Sequence, residues 1–100
     1  MTIKAIFAKT GDMRYISHLD LMRLFQRAMR RASLPAAFTK GFSPHIKVSL
    51  KRALKLGEES GAEEAAFYLD SMVAPEEFTK AMNSKLPAGV NILKTEYPTA

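Results

Sequence analysis

Apolar residues in this 100-residue chain fall into six consecutive segments whose spacing switches between two and 3.6, and that order restricts the folds open to it. Over residues 2–9, Ile3, Ala5 and Phe7 alternate with Lys4, Ile6 and Ala8, as in a central strand. Leu21, Met22, Phe25, Ala28, Met29 and Ala32 then recur at helical spacing and make one apolar stripe. Alternation returns over 45–50, with Ile46, Val48 and Leu50 inward, and again over 63–71, with Ala65, Phe67 and Leu69 opposite Ala66, Tyr68 and Asp70. Phe78, Ala81, Met82 and Leu86 give a second helical stripe over 75–86, and residues 90–97 read as a last strand. The order β-α-β-β-α-β predicts an α+β, ferredoxin-like domain over residues 1–100, with two helices on one face of a four-stranded antiparallel sheet.

Local chemistry marks the ends of these segments. Thr10-Gly11-Asp12 is a turn signal. Ser17-His18-Leu19-Asp20 has the form of a capping box, in which the Ser17 and Asp20 side chains each take a free amide at the helix start and Asp20 also complements the positive end of the dipole. Pro35 is expected to stop that helix soon after Leu34. Residues 35–45 then form a loop in which Gly41 supplies a positive φ, Phe38 and Phe42 serve as apolar anchors, and Pro44 holds Ser43 extended. A polar connection is expected over 51–61. Pro75 opens the second helix with Glu76 and Glu77 in its first turn, and Pro87-Ala88-Gly89 closes it.

Charge is unevenly distributed. Residues 1–55 carry twelve Lys/Arg against two acids, a balance of +10, whereas residues 56–100 carry three lysines against eight acids, a balance of −5. A half so basic favours a polyanionic partner, nucleic acid first. The alternative is a solvated basic face that pairs with the acidic half. Cysteine is absent, which excludes a disulfide framework and any cysteine-held metal or cluster within the chain. No segment has the length of a signal peptide or of a bilayer span, so a soluble, cytoplasmic protein without membrane association is expected.

The candidate binding residues are basic, with aromatic rings among them. Arg14, Arg23, Arg27, Arg30, Arg31, Lys40, Lys47, Lys51, Arg52 and Lys55 can neutralise phosphates, and Tyr15, Phe38 and Phe42 offer flat faces for unpaired bases. His18 and His45 could serve proton transfer, or with Asp20 a metal. His18 and Asp20 are two apart on a helix, however, and do not face each other. Neither a catalytic residue nor a metal or other cofactor is assigned. The expected third strand is acidic and sends Phe67 and Tyr68 to opposite faces, unlike the aromatic platform of a standard RNA-recognition motif.

From Lys9 to Leu50 the residues become distinctive: KTGDMRYISHLDLMRLFQRAMRRASLP, then FTKGFSPHIKVSL. This stretch resembles the opening of the radical-SAM-linked family, a bacterial domain fused behind a radical SAM enzyme or encoded beside one. GEES at 57–60 and PEEFTKAMNSKLPAGVNIL at 75–93 also resemble it. One departure is Ile46, where the family has proline after the Pro-His pair. The resemblance implies the N-terminal part of a longer domain, and a companion or substrate-handling role. A radical SAM enzyme needs three closely spaced cysteines, which this chain lacks. It further implies a functional surface drawn from Arg14, Ser17, His18, Asp20, Arg27, Arg30, Arg31, Gly41, Phe42, Pro44, His45 and Lys47.

Caps and turns explain part of that set, leaving Arg14, His18, His45 and Lys47 unaccounted for by the fold. The expected function is an accessory module that binds RNA or another polyanion through Arg14, His18, Arg23, Arg27, Arg30, Arg31, Lys40, Phe42, His45 and Lys47, alongside a radical SAM enzyme. The alternatives are a docking module for that enzyme without nucleic acid, and a small His-dependent ribonuclease.

Overall fold

In the computed structural model, which describes residues 1–51 and 60–97, the strand β1 (Thr2–Lys9) lies inside a four-stranded sheet. It is followed by a helix α1 (His18–Arg31), the strands β2 (Val48–Leu50) and β3 (Ser60–Tyr68), a helix α2 (Pro75–Lys85) and the strand β4 (Val90–Glu96). The spatial order is β2-β3-β1-β4, and every neighbouring pair is antiparallel. This is the α+β, ferredoxin-like arrangement that the order of periods predicts. Among the described residues no helix is long and apolar enough to cross a membrane.

The core forms where the inward row of each strand meets the helical stripes. Ile3, Ala5 and Phe7 of β1, Ala65 and Phe67 of β3 and Val90 and Ile92 of β4 are buried against Leu21, Phe25, Ala28 and Met29 of α1 and Phe78 and Met82 of α2. Four rings run through it in sequence. Phe7 and Phe25 have centroids 5.1 Å apart, Phe25 and Phe67 5.3 Å, and Phe67 and Phe78 5.0 Å, the first two pairs meeting edge to face. Each contact joins a strand to a helix, so the rings fix the helices on the sheet as well as filling space.

Several boundaries differ from those expected. Gly11–Tyr15 winds into a 3-10 helix rather than a simple turn. The Ser17 side chain accepts from the Asp20 amide at 3.1 Å, as a cap should, while the Asp20 carboxylate lies 3.8 Å from Arg23. Pro35 does not stop α1. The helix ends at Arg31, because Ser33 turns left-handed at φ 56°. The Leu34 amide then donates to the Met29 carbonyl and the Ser33 amide to that of Arg30, both at 3.1 Å, which satisfies two terminal carbonyls before proline is reached.

The expected second strand over 45–50 is regular only from Val48, with Ile46 bridged to Phe38 across the preceding loop. The third strand occupies 60–68 rather than 63–71. Most of the expected connection over 51–61, including Arg52 and Lys55, lies outside the described residues. Phe38 and Phe42 are not anchors. Phe38 is 55% exposed and Phe42 fully so, because the segment between them leaves the core rather than lying on it.

Candidate functional site

The exposed side of α1 follows from its helical spacing. At roughly 100° per residue, Arg23, Arg27, Arg30 and Arg31 fall within an arc of about 100°, opposite the buried Leu21, Phe25, Ala28 and Met29. All four arginines are exposed. Arg23 has Asp20 near it, whereas Arg27, Arg30 and Arg31 have no carboxylate partner among the described residues. Among the described residues, no acid of the second half pairs with this ridge. Lys51 and Glu64, from the two halves, pair at 3.2 Å on the sheet.

Beside the ridge runs a groove of about 430 Å³ lined by His18, Leu19, Met22, Arg23, Gln26 and His45. Three of these are spaced four apart on α1, so His18, Met22 and Gln26 form one flank of the helix. His45 comes from the loop opposite. Gln26 holds the two together, its side-chain amide donating to the Ile46 carbonyl at 2.9 Å. The loop itself is a short hairpin. The Thr39 amide donates to the His45 carbonyl and the Lys47 amide to the Ala37 carbonyl, each at 2.8 Å, while the His45 amide donates to the Thr39 hydroxyl at 3.2 Å. Lys40, Gly41, Phe42, Ser43 and Pro44 form the exposed tip.

The histidines differ within the groove. The Nδ1 of His45 is 3.1 Å from the Ser43 carbonyl, and its ring is exposed. The Nδ1 of His18 is buried and has no hydrogen-bond partner, an uncommon state for a buried polar atom. Among the described residues no cluster of three or more His, Asp or Glu is arranged to hold a metal ion.

The other expected residues do not join this groove. Arg14 donates to the Gly11 carbonyl at 3.2 Å and to the Tyr15 hydroxyl at 2.8 Å, with its guanidinium 4.5 Å from the Tyr15 ring centre, so the 3-10 turn occupies it. The Lys47 ammonium lies 4.4 Å from the centre of the Tyr68 ring, on the sheet face away from the helices. Of the four residues that the fold leaves unaccounted for, only His18 and His45 meet. Leu19, Met22 and Gln26 were not expected in a site. The four-residue spacing from His18 through Met22 to Gln26 is the signal that could have found them.

These features define a ferredoxin-like α+β domain with an arginine-crested helix and a two-histidine groove beside it. The chain belongs to the family described as uncharacterized protein conserved in bacteria (DUF2344), whose model matches residues 2–100. No curated protein matches the chain.

Proposed function

We propose that this domain is an accessory module that binds single-stranded RNA, or a polyanion of similar charge, across the outer side of α1 and the hairpin beside it, in the service of a radical SAM enzyme. The observation that carries the reading is the ridge of Arg27, Arg30 and Arg31, which have no carboxylate partner among the described residues, and which continues through Arg23 to a groove with imidazole and apolar walls. Phosphates would lie along the arginines, and a base edge would enter between His18 and His45. Phe42 at the hairpin tip offers a free ring face for stacking, and Lys40 a further cation. The radical SAM association rests on the resemblance of Lys9–Leu50 to the family that accompanies such enzymes.

The reading is tested by titrating a labelled single-stranded oligoribonucleotide at several salt concentrations and following its length by electrophoresis. Binding should weaken steeply with salt. Changing Arg27, Arg30 or Arg31 to Ala leaves one phosphate without its cation, and each such change should flatten the slope of log K against log salt by about 0.7. The RNA should remain intact. Salt-insensitive binding, or none, would sink the proposal, and RNA cleavage that disappears in His45→Ala would replace it with the ribonuclease reading.

A further inference from the structure

On the opposite flank of α1 from the histidines lies a second groove, of about 310 Å³, between α1 and the end of α2. Its charged lining is Arg27, Arg31 and Lys85, and its apolar walls include Leu24, Leu86 and Pro87. No acid lines it, and none of the three cations has a carboxylate partner among the described residues. Helix ends explain part of this arrangement, since Arg31 and Lys85 are the last residues of their helices and complement the negative ends of the dipoles. Arg27 sits a full turn earlier, where that account no longer reaches. One turn apart, Arg27 and Arg31 repel each other, and an anion between them removes the repulsion. A concave surface of a single sign with apolar walls also concentrates its field on a small ligand.

The geometry points to this groove as a binding site for a phosphomonoester or pyrophosphate group, with Lys85 as its third cation. Charge sets the class of ligand. A monoester carries close to two negative charges at neutral pH, whereas an internal diester carries one, so three converging cations match a terminal phosphate better than a passing backbone. Arginine forks can meet two phosphate oxygens at once, and the lysine supplies a point charge from the facing helix. Such a group could belong to the end of an RNA strand or to a free small molecule. The first source rests on the RNA-binding reading above and the second does not.

The test compares one oligoribonucleotide in its 5′-phosphorylated and 5′-hydroxyl forms, with inorganic pyrophosphate as a separate ligand whose binding is read from amide NMR shifts. The phosphorylated strand should bind about tenfold tighter, the gain of one strong charge-assisted contact. Lys85→Gln should erase that difference, while Arg30→Gln, on the ridge outside the groove, should weaken both forms alike. Pyrophosphate should shift the amides around Lys85 in the unaltered chain and not in Lys85→Gln. Equal affinity for the two strands, without a pyrophosphate response, overturns the site and leaves RNA binding by the ridge intact. A pyrophosphate response that depends on Lys85, with neither strand bound, assigns the groove to a free phosphate compound and removes RNA binding. A preference for the phosphorylated strand that survives Lys85→Gln also overturns the proposal.

Discussion

Ser33 ends α1 in a conformation that L-residues with a Cβ occupy at a cost of roughly 1–2 kcal/mol. Glycine carries no such cost but loses more freedom on folding, so Ser33→Gly should stabilise the domain by about 0.5–1 kcal/mol. The check is a rise in the urea midpoint at unchanged slope. Gly89 presents the reverse case. Its φ is 96°, and an added Cβ would sit 2.6 Å from the Thr10 carbonyl oxygen and 2.9 Å from the Met13 side chain. The strain cannot be relieved by moving the backbone away, because the Thr10 amide also donates to the Gly89 carbonyl at 2.8 Å. Gly89→Ala should therefore cost roughly 2–3 kcal/mol and lower Tm by on the order of 10 °C in a scanning melt.

The helix α1 presents two separate faces, and its stability resides in only one of them. Phe25 is fully buried and its ring touches those of Phe7 and Phe67, so Phe25→Ala should cost about 3–5 kcal/mol, a large part of the total for a domain of this size. Phe42→Ala should change stability by no more than about 0.5 kcal/mol, because its ring is already in water. Equilibrium unfolding of the two variants side by side checks both values. The exposed arginines resemble Phe42 in this respect. A loss of the proposed RNA binding on their removal would therefore report on the proposed interface rather than on folding. The capped start of α1 and its apolar stripe were legible in the sequence, since both depend on residues within a turn or two of each other. Its end was not, because a serine in the left-handed region has no compositional signal of the kind glycine gives.

For the molecule as a whole, the order of elements and the inward rows of the first three strands could be read from apolar spacing alone. Strand order then followed from the few ways such a series can pack. The candidate site was legible only in part. His18 and His45 stood out as residues without a structural task, yet their meeting depends on how α1 lies across the sheet and on a loop that Gln26 ties to it. Arg14 and Lys47 stood out equally and went elsewhere, each to a tyrosine ring. Lys85 was not singled out at all, because it lies far along the chain in the acidic half and reaches the α1 arginines only through helix packing. Short-range chemistry can be read from neighbours in sequence, whereas a groove belongs to surfaces that tertiary contacts bring together.

The position of β1 between β3 and β4 has a consequence in time. About 80 residues separate β1 from β4. At ribosomal rates of ~5–20 residues per second, the first strand is made roughly 4–16 seconds before its second neighbour. Through that interval one edge of β1 offers bare amides and carbonyls beside Ile3, Ala5 and Phe7, the kind of edge that pairs with other chains. Arrival of β4 closes it, so β1 stays open to mispairing for as long as the residues between the two strands take to be made.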